Sequence, residues 1–159
     1  MTDFPRVKVV FDLPEEAGDW PRGRSEGLWG TPLPDSDHVR LDNIPFFVDG
    51  VALGDIFRVR LGEDGILHAV EKVAASGACT VRLVVLNNGP FAGDLSRALD
   101  LFAPLFVEGE RADQYGMAAL TIPPEADLAA VKNLLVGGVV DGWWEYEESC
   151  VGEAWRAAE

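Results

Sequence analysis

Residues 79–106, CTVRLVVLNNGPFAGDLSRALDLFAPLF, change the rhythm of the chain and decide how its second half folds. Up to Asn87 the apolar residues alternate, with Val81, Leu83 and Val85 on one side, which predicts a strand. From Phe91 onward Leu95, Leu99, Phe102 and Phe106 recur every three or four residues, which predicts a helix with one apolar stripe. Pro104 must kink or end that helix near Ala103, because its ring displaces a carbonyl and it has no N–H to donate.

Downstream, RADQYG and MAALTI read as two short strands joined near Gly116. PPEADLAAVKNLLVGG reads as a second helix, with prolines and acids at its start, Leu128, Val131, Leu134 and Leu135 on its face, and Gly137 and Gly138 as its stop. WWEYEESC reads as a last strand. Strand, helix, strand, strand, helix, strand is the order of a ferredoxin-like βαββαβ unit, here spanning residues 78–151. The first and last strands of such a unit are antiparallel neighbours. With Val85 opposite Trp144, Leu83 opposes Tyr146, Val81 opposes Glu148 and Cys79 opposes Cys150, so the two thiols fall close together and, in a reducing compartment, stay free.

Upstream the turns come closer together. VKVVFDL (7–13) is a β-branched strand, and Pro14 to Gly27 is a loop rich in Pro, Gly and charge. LWGTPL places Trp29 in an extended piece that Pro32 and Pro34 confine to an edge or an end, and DSDHVRLDNI is another strand. VALGD is a turn, IFRVRLG a strand with Phe57, Val59 and Leu61 toward the core, Glu63–Gly65 a hairpin, and ILHAVEKVAA the returning strand. Residues 6–77 therefore predict a small curled β-sheet or partial barrel. The expected class is α+β: this β unit packed on the ferredoxin-like unit, covering the sheet face that two helices leave open, as two domains or one compact domain.

The 159 residues contain 48% hydrophobic and 25% charged side chains, a globular rather than a disordered composition. The N-terminus shows no secretory pattern and no segment reaches about 18 apolar residues in a row, so the expectation is a cytoplasmic protein with no membrane association. Two cysteines are too few for a disulfide framework. The net charge of −14 is uneven: residues 1–93 carry 14 acids and 9 bases, a net of −5, and residues 94–159 carry 13 acids and 4 bases, a net of −9. Such a surface repels phosphate backbones and anionic membranes and steers basic partners, and it also serves solubility.

A search for chemistry excludes more than it finds. None of the five serines sits in G-x-S-x-G or S-x-x-K, and no phosphate-binding glycine loop is present. DSDH (35–38) groups two carboxylates and an imidazole, but Asp and Ser gather in turns for their own hydrogen bonds, and no metal site is assigned. Nucleic acid is not expected, since the central strand offers only Arg82 and the last strand is acidic. No catalytic residue and no cofactor are assigned, which leans the reading away from an enzyme.

Two binding hypotheses remain. In DGWWEYEESC, adjacent Trp143 and Trp144 are expected on opposite strand faces, one beneath the helices and the other on the open face with Tyr146, rimmed by Glu145, Glu147 and Glu148. The alternative is a small-molecule or enzymatic pocket between the two β units near Trp29, Asp42, Asn43, Asp55 and His68.

LWGTPL, LDNIPFFVDGVALGDIFRVR, GILHAVEKVAASGACTVRL and GGVVDGWWEYEE together resemble an uncharacterised bacterial family, the domain of unknown function 4265, from about Val7 to Cys150. The family carries no established activity and so no functional residues to transfer. The resemblance implies that residues 41–60 are a structural signature, in which Pro45 and Gly50 shape a corner, Phe46 or Phe47 plugs the core and Asp55 caps a backbone turn. The functional expectation is a non-enzymatic acidic protein-binding module, of the kind that inhibits or regulates a basic protein as immunity proteins do.

Overall fold

The computed structural model describes residues 5–14 and 25–159. The chain forms two compact units, Met1–Ser76 and Gly77–Glu159, in a mixed α+β architecture.

Five strands make the first unit: β1 (Val7–Asp12), β2 (Ser25–Pro32), β3 (His38–Leu41), β4 (Ile56–Leu61) and β5 (Leu67–Ala74). Each runs antiparallel to the one before it. Four reversals leave β1 and β5 pointing the same way, so the sheet closes through a parallel pair, Val9 with Leu67 and Val10 with His68. The curled sheet is thus a closed barrel. Val9, Phe11, Leu28, Val39, Leu41, Phe57 and Val59 fill it, with Phe11 and Phe57 edge to face at 4.9 Å. Phe57 and Val59 are buried, as the alternation predicts, whereas Leu61 at the strand's last position is 66% exposed.

The loop expected from Pro14 to Gly27 is shorter at its downstream end: Ser25–Gly27 already belong to β2, and the part at 15–24 lies outside the described residues. The reason is Glu26, which faces inward opposite Phe11. Its carboxylate accepts from the backbone N–H groups of Phe46, Phe47 and Val48 at 2.7, 3.0 and 2.9 Å. A side chain with that many charge-assisted bonds fixes its own strand and the loop it holds.

In the second unit, the strands β6 (Cys79–Val85), β7 (Glu108–Ala112), β8 (Met117–Ile122) and β9 (Trp144–Cys150) form one antiparallel sheet in the order β7-β8-β6-β9. Helix α1 (Leu95–Phe102) follows β6, α2 (Leu128–Val140) follows β8, and α3 (Glu153–Ala157) follows β9. Both long helices have aspartate N-caps, Asp94 accepting from the Arg97 N–H and Asp127 from that of Ala130. Their buried faces meet Val81, Leu83, Val85 and Trp144 of the sheet in one core.

Several expectations need correction here. Helix α1 ends at Phe102 with Ala103 as its C-cap, where Pro104 requires it, and continues as a 3₁₀ turn; but Phe106 then adopts a left-handed φ of 63° and is 78% exposed, so it leaves the stripe that Leu95 and Phe102 keep. Gly137 and Gly138 do not stop α2, which runs on to Val140. The segment at Asp113–Tyr115 is a 3₁₀ turn rather than strand. Helix α3 was not foreseen; its Trp155 is 1% exposed and its indole N–H donates to Glu148 at 2.9 Å.

The β6–β9 register places Val85 opposite Trp144, Leu83 opposite Tyr146 and Val81 opposite Glu148. A bulge between Thr80 and Val81 then puts Cys150 opposite Thr80 instead of Cys79, and the two cysteines form no disulfide. No helix among the described residues is long and apolar enough to cross a membrane.

Candidate functional site

Strand β9 carries the densest group of candidate residues, and the structure divides them between core and surface. Trp144 is fully buried; its indole N–H donates to the Leu135 carbonyl at 3.0 Å, and its ring packs at 5.4 Å from Phe102. The indole rests on Gly138, where an added Cβ would lie 2.1–2.5 Å from three of its atoms. That contact explains a glycine inside a helix. Trp143 precedes the strand, so strand alternation does not apply to it: it stacks on Phe91 at 4.9 Å, and the Arg97 guanidinium lies 4.5 Å from the same Phe91 ring. Both tryptophans therefore belong to one aromatic cluster rather than to opposite faces.

Tyr146 shares Trp144's side of β9 and packs half-buried against the same core. Burial pushes its hydroxyl pKa up, and the neighbouring Glu148 carboxylate adds to the rise. The three glutamates separate. Glu148 accepts from Trp155, while Glu145 and Glu147 alternate on the other side of the strand. Glu147 accepts from the Arg82 Nη1 at 2.8 Å, and Arg82 Nη2 donates to Ser149 Oγ at 2.9 Å.

Arg82 is 5% exposed and sits in a cross-strand row Glu110–Ala119–Arg82–Glu147. Ala119 leaves room for the long side chain between two acidic edge strands. Partial desolvation pushes the Glu110 carboxyl up from its ordinary value. Arg82 was legible in the sequence only as an isolated base; its partner 65 residues away was not.

The five residues of the alternative pocket all lie in the barrel unit, and the structure brings three of them together. Asn43 Oδ1 accepts from the Trp29 N–H at 2.8 Å, the Asp42 N–H donates to the Trp29 carbonyl at 2.8 Å, and the Asp42 carboxylate accepts from Thr31 at 2.7 Å with Arg6 3.8 Å away. Asp55 belongs to a separate set. It is 1% exposed, accepts from the Ala52 and Ser76 N–H groups at 2.9 Å each, and pairs with Lys72 at 2.7 Å. Lys72 also donates to the Gly50 carbonyl at 2.6 Å, where φ is 74°. The turn-capping role expected of Asp55 and the corner at Gly50 are thus seen directly, but Phe46 and Phe47 are only half-buried, and Val51 enters the barrel core in their place.

His68 stands apart from both sets, 3.2 Å from Asp64. The Ile66 N–H bond and then His68 hold the Asp64 carboxyl below its ordinary value. At DSDH, Ser36 bonds the Leu33 carbonyl and receives the His38 N–H, a turn arrangement. Among the described residues, no group of three or more His, Cys, Asp and Glu side chains is placed to hold a metal ion. Glu26 is the anchoring residue that sequence reading missed, since a lone glutamate in a polar stretch carries no sign of being buried.

The whole chain is similar to a solved structure, the crystal structure of a hypothetical protein from Neisseria gonorrhoeae, at 23% identity over 96% of this chain and 98% of that one, with a TM-score of 0.71. At that identity the likeness concerns the fold. No curated protein matches. The family model for Domain of unknown function (DUF4265) matches residues 26–146, from the buried Glu26 to Tyr146, and the chain belongs to that family.

Proposed function

We propose that this protein is a non-enzymatic acidic binding module whose second unit, a ferredoxin-like βαββαβ arrangement, engages a basic protein in the manner of an immunity-type inhibitor. The observation that carries the reading is strand β9. It is a terminal strand of its sheet, and Glu145 and the 56%-exposed Glu147 project from the same side of it. The strand belongs to residues 94–159, which carry a net charge of −9. The sheet's other terminal strand, β7, is also acidic, with Glu108 and Glu110 on the face that bears Arg82. A terminal strand so charged is protected from self-pairing and presents its field to cations.

The aromatic residues of β9 take a different part from that of an interface hot spot. Trp144 holds the strand on α2, Trp143 stacks on Phe91 just ahead of the strand, and the glutamates are its outward chemistry. The test is co-purification of the tagged chain from its host at low and high salt, with identification of what accompanies it. The expected result is one basic protein in stoichiometric amount at low salt and much less of it at high salt. Recovery of the chain alone at both salts overturns the reading.

A further inference from the structure

The outer face of the barrel carries a depression of about 570 Å³ lined by Lys8 and Val10 of β1, Gly27 of β2, and Ile66 and Leu67 beyond the β4–β5 turn. It has a topological origin. Strand β5 begins at Leu67, opposite Val9, so the residues of β1 before Val9 have the turn beside them instead of a paired strand. The gap left by that short parallel seam is walled by Val7, Val10, Ile66 and Leu67 together with Ser25, Lys8 and two glycines.

Lys8 is the charged residue of the lining. Its stem crosses Gly27, where an added Cβ would fall 2.4 Å from Lys8 Cε, and its ammonium lies 5.8 Å from the Trp29 ring centroid. No ion pair among the described residues engages it. Asp64, in the turn before Ile66, is turned back onto the Ile66 N–H and His68, and Asp12 pairs opposite Ser25. A depression of this size, mainly apolar and with one lysine in its lining, matches the general form of a small-ligand site.

We propose that this depression binds a small amphipathic carboxylate, its apolar body on Val10, Ile66 and Leu67 and its carboxylate on the Lys8 ammonium. The site lies within the barrel unit and is independent of the acidic strand β9. The experiment is a ¹H–¹⁵N titration of the full chain with octanoate, and with octylamine and octanol as matched probes. Octanoate is expected to shift the amides of Lys8, Val10, Gly27, Ile66 and Leu67 together. Lys8→Met, which keeps the stem and removes the charge, weakens octanoate about tenfold and leaves octanol unchanged, while Lys8→Arg retains binding. The proposal is overturned if octanoate leaves these amides unmoved, if octylamine binds as tightly as octanoate, or if Lys8→Met binds octanoate like the parent.

Discussion

Two adjacent glycines in α2 should respond in opposite directions to the same substitution. At Gly137 an added Cβ meets nothing within 4 Å, so Gly137→Ala gains helix propensity and is expected to stabilise the protein by about 0.8 kcal/mol. At Gly138 the Cβ would lie 2.1 Å from Cε2, 2.3 Å from Cζ2 and 2.5 Å from Nε1 of Trp144, all inside any tolerable contact. Either the helix lifts off the sheet, costing about 1–3 kcal/mol in overpacking, or the indole moves. If the indole moves, its bond to the Leu135 carbonyl breaks, and a buried donor left unpaired costs about 1–3 kcal/mol. After subtracting the propensity gain of about 1 kcal/mol, Gly138→Ala should destabilise by about 1 kcal/mol, which lowers a urea midpoint by about 0.5 M. Urea unfolding followed by circular dichroism and tryptophan fluorescence measures both. Equal stability of the two alanine variants would refute the claim that Gly138 is present to seat Trp144.

Removing the anchors of the 42–55 loop should be costly. Glu26→Ala releases three backbone donors and is expected to lose about 3 kcal/mol, and Asp55→Ala leaves Lys72 without its carboxylate for a similar loss of about 3 kcal/mol, both read by denaturant unfolding. Phe102→Ala should cost about 3–5 kcal/mol while Phe106→Asn, at an exposed left-handed position, stays within about 0.5 kcal/mol of the parent; equal losses would restore Phe106 to the helical stripe. Burial pushes the Cys79 thiol pKa up, outweighing the Gly152 N–H that lowers it. Iodoacetamide at pH 8 should therefore modify Cys79 far more slowly in the folded chain than in urea. Because the folded state holds that proton more tightly, Cys79 subtracts from stability as pH rises past the unfolded thiol's range, a loss that Cys79→Ala removes from the pH profile.

Periodicity made the second unit legible. Alternation in β6 fixed which residues face Trp144 and Tyr146, and the register followed as far as Val81. The bulge beyond it, between Thr80 and Val81, leaves no mark in the side-chain pattern. Barrel closure was equally hidden, since it rests on two parallel pairs between strands almost sixty residues apart. Gly137 and Gly138 show a sharper limit: a glycine pair carries the same sequence signal whether it ends a helix or makes room for an indole. Phe106 shows another, because the helical stripe extrapolates past Pro104 only if the backbone does. At the site, acidity was readable residue by residue and alternation separates Glu145 and Glu147 from Glu148, but the place of Trp143 required knowing where β9 begins. The buried partners Glu26 and Arg82 belong to pairs made only by the fold.

The central claim is that acidic strand β9 recognises a basic protein. Its most direct test is the affinity of the co-purified partner for the parent chain and for Glu145→Lys across a salt series, since Glu145 is exposed and reversal of its charge leaves the core untouched. The account predicts binding that weakens as salt rises and falls by about tenfold in the variant at low salt. Binding that is indifferent to both salt and Glu145→Lys would contradict it.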